Sequence, residues 1–206
     1  MFFMVTGTHA SGKSMMMGLI ASSLGIEINT EKVNRKKLNY HFNKDKNYVL
    51  VGKYGLREGA NGYPAAYTGG LDSSGKQDER RQLLYDVWDK DLIMGESHMI
   101  CYVTMWKTMK TLHQEKKAHK IFIMHLDVPD DHLISRWEAR SKGKKMTPDR
   151  MKHLEAKQKD PPRLKKYMEN DPHYKKLLIH KTVRNLTLED SINAAAMAIK
   201  TIKENI

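Results

Sequence analysis

The chain has 206 residues, 40% of them apolar, and carries 36 Lys/Arg against 24 Asp/Glu for a formal net charge of +12. That length and apolar content are enough for one α/β core that folds without staples, and the lone Cys101 excludes an intrachain disulfide and fits a reducing compartment. The opening "MFFMVTG" is too short an apolar run to span a membrane and has no basic leader, so a cytoplasmic protein without a membrane partner is expected.

Phe2 to Thr6 reads as a buried strand running directly into a glycine loop, and Lys13 to Leu24 as a helix whose Met15 to Met17 are core packing. A charged, aperiodic stretch precedes a second strand, Asn47 to Tyr54. Gly55 to Gly75 is rich in glycine, with Tyr63, Pro64 and Tyr67 interleaved, and predicts a long irregular loop. Leu83, Leu84, Val87 and Trp88 then fall at helical spacing, and "DLIMGES" predicts a third strand ending at Glu96. A helix around "YVTMWKTMKTLHQEKKA", a strand "KIFIMHLDV" and a helix begun by Pro129 follow. Charged helix broken by "DPP", a weak strand "KKLLIH" and a C-terminal helix complete the order. Five strands alternating with helices predict a three-layer α/β/α fold, with a mainly parallel five-stranded sheet in a single domain, 1–206. Residues 136–170 are expected to form a mobile, basic, lid-like subregion, because from Arg136 to Lys181 there are fifteen Lys/Arg against six Asp/Glu.

"GTHASGKS" has the spelling and the strand-loop-helix setting of a phosphate loop, so the expected α/β/α fold is of the P-loop NTPase kind. Gly7, Thr8, His9, Ala10, Ser11, Gly12, Lys13 and Ser14 are therefore the expected nucleotide cradle. Backbone N–H groups and the positive end of the following helix would hold the phosphates, Lys13 would reach the β/γ-phosphates, and Ser14 would ligate Mg2+. Glu96, at the end of the third strand, is the candidate second carboxylate for that metal. The chain has no guanine-reading "NKxD", which speaks against a GTPase. "GLDSSGKQ", Gly70 to Gln77, nearly repeats the spelling but has no clear strand before it and no Ser/Thr at its end. What it offers is Asp72, a candidate base for the proton of an alcohol acceptor.

Two resemblances extend this. "FIMHLDVPDDHLISRWEAR" resembles the stretch of small P-loop kinases in which a strand ends in Asp-x-Pro and the next helix presents arginines to the phosphates, here Arg136 and Arg140. "VLVGKYG" followed by "TGGLD" is similar to the phage P-loop kinases that phosphorylate 5-hydroxymethyldeoxyuridine within DNA. That resemblance implies an ATP- and Mg2+-dependent transfer of phosphate to a base hydroxymethyl group, a partner DNA carrying the modified pyrimidine, and an acceptor site formed by Lys53, Tyr54, Gly69 and Gly70 with Asp72 as base. Tyr54, Tyr63 and Tyr67 are candidate surfaces for stacking an extruded base. Two other readings stay open on the residues alone: a deoxynucleoside monophosphate kinase using Arg57 and the basic region, and a nucleotide-dependent DNA-binding module.

Overall fold

The computed structural model describes residues 1–29, 32–33, 36–57 and 66–206. Its elements in chain order are β1 (Phe2–Thr6), α1 (Lys13–Ser23), β2 (Lys32–Val33), β3 (Lys36–Lys37), β4 (Tyr40–Phe42), β5 (Tyr48–Val51), β6 (Lys53–Arg57), β7 (Ala66–Gly70), α2 (Gln77–Asp86), β8 (Leu92–Glu96), α3 (Val103–Glu115), β9 (Ile121–Asp127), α4 (Asp130–Arg140), α5 (Pro148–Gln158), α6 (Asp160–Asn170), α7 (Pro172–Lys175), β10 (Leu178–Arg184) and α8 (Leu188–Lys203). The central sheet has six strands in the order β10-β9-β1-β8-β5-β4. The five predicted strands are its parallel part; the sixth, β4, was not foreseen and pairs antiparallel with β5 at the edge.

Burial explains which runs became which strands. All five residues of β1 are buried because the strand has neighbours on both sides and helices on both faces, so its sequence is continuously apolar. One face is covered by α1 and α8, where Met16, Met17, Ile20, Ala194, Ala198 and Ile202 meet Phe3, Val5 and Leu50. The other is covered by α2, α3, α6 and α7, where Leu84, Trp106, Leu164, Met168 and Tyr174 meet Phe2, Met4 and Ile123. Phe2 alone packs on Trp88 at 5.4 Å and Trp106 at 5.8 Å between ring centroids. Burying a side chain of that size is worth about 1.5–3 kcal/mol.

Three expectations are corrected here. The second strand does not run unbroken from Asn47 to Tyr54: it stops at Val51, and the chain turns at Gly52 into β6, which leaves the central sheet. The stretch after Gly55 is not wholly irregular, since β6 and β7 form an antiparallel ladder from Lys53↔Gly70 to Arg57↔Ala66. Tyr63, Pro64 and the side chains of Arg57 and Tyr67 lie outside the described residues. The last strand begins later than "KKLLIH" and continues through Arg184, carried by pairing to β9 along its whole length. Within the basic stretch 136–170, α6 lies on the sheet through Leu164 and Met168, while Leu133 of α4 and Leu154 of α5 pack in a separate small cluster with Val128. Among the described residues no helix is long and apolar enough to cross a membrane.

The α3 face encloses an imidazole with no hydrogen-bond partner. His113 is buried, both ring nitrogens are unpaired, and its ring edges meet Trp88, His173 and Tyr174. Burial pushes its pKa down to about 3, with His173 and His119 adding to the effect. In the unfolded chain the ring titrates near its ordinary value, about 6.5. Its contribution to stability is therefore full above that pH and declines as pH falls below it, by up to about 1.4 kcal/mol per pH unit. We expect urea midpoints to drop between pH 7 and pH 5, and His113→Phe to lower the slope of stability against pH by one proton's worth.

Candidate active site

The direction of strand connection reverses about β1, and ligands of open parallel sheets bind at the carboxyl ends beside such a point. The Gly7–Ser14 loop leaves β1 there. Its conformation is set by φ angles of 95° at Gly12 and 64° at Ala10, both left-handed, and Gly12 caps the start of α1. A Cβ on Gly12 would sit 2.6 Å from Asn185 Nδ2, so glycine is also what lets Asn185 come close. Buried Asn185 donates to Ser11 O at 2.7 Å and accepts from Ser191 Oγ at 2.6 Å, tying the loop to the start of α8. Lys13 lies back along the loop, donating from Nζ to Gly7 O at 3.1 Å and Thr8 O at 2.9 Å.

Ser14 and Glu96 are brought together. Ser14 Oγ donates to Glu96 Oε1 at 2.5 Å, while Glu96 Oε2 is buried without a hydrogen-bond partner. Burial pushes Glu96 up to about 7; Lys13, the Ser14 bond and the charge of Arg140 pull against it, and Asp72 adds to the rise. Among the described residues no three His, Cys, Asp or Glu side chains group as a metal cage. A serine hydroxyl and one carboxylate, with an oxygen still unsatisfied, are nevertheless hard-oxygen donors of the kind Mg2+ takes when water and phosphate oxygens supply the remainder.

Asp72 stands on the same side, in a single 3-10 turn, Leu71–Ser73, that follows β7. Ser97 Oγ donates to Oδ1 in a short bond, the His98 backbone N–H donates to Oδ2 at 3.0 Å, and Arg80 Nη2 fixes the Asp72 carbonyl at 3.1 Å. Burial raises its pKa, but the bonds from Ser97 and His98 and the charge of Lys13 outweigh that and hold it below the usual aspartate value. Gly70 makes this neighbourhood possible. Its φ is 95°, and a Cβ there would come 2.4 Å from Glu96 Cγ and 2.5 Å from Oε1. Lys53 and Gly69 stand in the same β6–β7 ladder, Lys53 opposite Gly70 and Tyr54 opposite Gly69.

Tyr54 requires a correction. Expected as a stacking surface, it is 0% exposed, with its ring edge-on to His41 at 5.5 Å. Burial raises its hydroxyl well above the ordinary value, and the nearby charges of Glu96 and Asp72 add to this. It shapes the wall behind Glu96 and has no face to offer a base. The two arginines also part company. Arg136 is used by the fold, donating to Asn185 O at 2.9 Å, Leu186 O at 2.7 Å and Ala10 O at 3.4 Å. Arg140, one turn on, lines a cavity of about 480 Å³ together with His9, Ala10, Trp137, Met146 and Arg150.

"GLDSSGKQ" has a strand before it after all, β7, as well as a helix behind it. What disqualifies it as a phosphate cradle is Glu79, whose carboxylate accepts from the Lys76 N–H at 2.5 Å and occupies the start of α2. Residues absent from the sequence reading are Asn185, Ser97 and Lys157, whose Nζ is 3.0 Å from His9 Nε2. Their signal is tertiary, since Asn185 and Ser11 are 174 positions apart. No protein-family model matches the chain, and no curated protein matches it.

Two substitutions test this geometry. Gly70→Ala should destabilise the protein by about 1–3 kcal/mol, from the left-handed φ and the clash with Glu96, as a shift in urea midpoint. Arg136→Met should cost about 2 kcal/mol in the absence of any ligand, because partly buried carbonyls lose a charged donor; a melting curve superimposable on wild type would contradict the structural role given to Arg136.

Proposed function

We propose that the chain is a P-loop kinase that transfers the γ-phosphate of ATP to an alcohol, with the hydroxymethyl group of 5-hydroxymethyldeoxyuridine in phage DNA as the acceptor. The observation that carries the reading is the convergence of Lys13, Ser14, Glu96 and Asp72 at the carboxyl ends of β1 and β8. A loop carrying a lysine and backed by a helix start suits a polyphosphate, and a carboxylate beyond it suits a neutral acceptor more than an ionised one. The resemblance of "VLVGKYG" and "TGGLD" to the phage DNA kinases and the net charge of +12 support a polyanionic substrate.

In this mechanism the backbone N–H groups of Gly7–Ser14 and the start of α1 hold the phosphates, and Lys13 exchanges its two carbonyl partners for phosphate oxygens. Ser14 and Glu96 would hold Mg2+, which when bound neutralises charge on the β- and γ-phosphates. Arg140 reaches the same region from α4, its charge already felt at Glu96. Asp72 is ionised at neutral pH and orients the acceptor hydroxyl. In the loose transition state of phosphoryl transfer the hydroxyl proton leaves late, so a carboxylate of low pKa is a sufficient acceptor for it.

The decisive measurement is incubation with γ-labelled ATP, Mg2+ and either DNA carrying 5-hydroxymethyldeoxyuridine or free deoxynucleotides. Label is expected in the modified DNA; label confined to free monophosphates would replace the acceptor assignment, and tight DNA binding without label would remove the kinase assignment. Lys13→Ala is expected to abolish transfer with DNA affinity nearly unchanged. Asp72→Asn is expected to lower kcat by about 10²- to 10⁴-fold with ATP binding intact.

A further inference from the structure

The lid-like segment presents one lysine to the loop. Leu154 of α5 is buried against Val128 and Leu133, and Gln158 Nε2 donates to Asp130 Oδ1 at 2.5 Å, so the last turn of α5 is held from both sides. Lys157 lies between those two anchors. It reaches the loop tip, with Nζ 3.0 Å from His9 Nε2. Partial desolvation and the charges of Lys157 and Lys13 lower the pKa of the His9 ring, which is exposed at the loop tip, so the ring is neutral and accepts the ammonium proton. Burial holds the Lys157 ammonium below its usual value, with the charge of Lys13 adding to the shift and those of Asp72 and Asp160 opposing it. Its ammonium sits at the tip of the glycine loop, beside His9.

We infer that Lys157 is a catalytic cation of the transfer step, resting on His9 and moving onto the transferring phosphoryl group when ATP is in place. The inference rests on the kinase reading. An ammonium has three N–H donors, and phosphate oxygens outcompete a neutral imidazole because they add the attraction of a full negative charge to the hydrogen bond. A contact meant only to fasten the lid would be better made by a carboxylate at position 9. The need for this cation follows from Arg136: with its guanidinium committed to three backbone carbonyls, α4 supplies Arg140 to the phosphates and α5 supplies the second charge. In the step itself the acceptor oxygen forms a bond to Pγ and the bond from Pγ to the bridging oxygen breaks. The bridging electron pair leaves with ADP, the hydroxyl proton passes to Asp72, and Lys157 keeps its protons while it offsets charge on the moving group.

The test compares wild type, Lys157→Ala, Lys157→Arg and Lys157→Gln for binding of ADP and of a non-hydrolysable ATP analogue, and for kcat in the labelling assay. Lys157 is half-buried at the surface, and unchanged melting temperatures are expected to show that the variants fold. We expect ADP affinity within threefold of wild type in Lys157→Ala, analogue affinity reduced at least fivefold, kcat reduced about 100-fold or more, and substantial recovery in Lys157→Arg. An active wild type matched within threefold in kcat by both Lys157→Ala and Lys157→Gln overturns the inference and leaves the kinase reading standing. Should wild type bind ATP but label no acceptor, the analogue-to-ADP affinity ratio decides, and a ratio preserved in Lys157→Ala overturns it. A wild type that binds neither nucleotide overturns both.

Discussion

The contact on which the site depends is the 2.5 Å hydrogen bond between Ser14 Oγ and Glu96 Oε1. It joins the first turn of α1 to the carboxyl end of β8, two parts of the chain brought together because β1 and β8 are neighbours in the sheet. A buried carboxylate is costly unless something answers its charge, and here Lys13, Ser14 and Arg140 all pull toward the ionised form while burial and Asp72 push against it. Two neighbouring features follow. Position 70 accommodates no side chain, because Glu96 fills the space a Cβ would take, and Tyr54 is sealed behind the same carboxylate.

The basic segment is organised around what its charges hold. Arg136 is spent on backbone carbonyls, Arg150 lies over the Trp137 ring at 4.9 Å, and Lys157 rests on His9. Part of the positive excess read as a binding face is thus already engaged within the fold. His98, just past β8, makes a further link to this segment. Its Nε2 lies 3.2 Å from Asp160 Oδ2, and burial keeps the ring neutral, so this is a hydrogen bond from imidazole to carboxylate and links the end of β8 to the start of α6.

Local pattern was enough for much of this. β1 and β8 are uninterrupted apolar runs because they are central strands, and the glycine loop carries its own instructions in its spacing. Strand β4 was illegible because three residues at an edge, alternately exposed and buried, make too short a signal. The break at Gly52 was missed because an apolar run does not report a change of sheet. Arg136 and Tyr54 show the limit most directly. A helical arginine facing phosphates and one facing carbonyls share the same spacing, and a tyrosine after a glycine turn looks exposed until the glutamate that packs on it, 42 positions later, is in place. Asn185 had no local mark at all, since its purpose lies in a loop at the other end of the chain.

The Glu79 carboxylate at the start of α2 has a consequence for stoichiometry. A helix start that already carries its own anion has no partial positive charge left to attract a second one. On the kinase reading the two similarly spelled loops are therefore not rivals, and the chain saturates with one nucleotide. On the same reading the second loop offers an acceptor the Asp72 carboxylate where a phosphate cradle would otherwise stand.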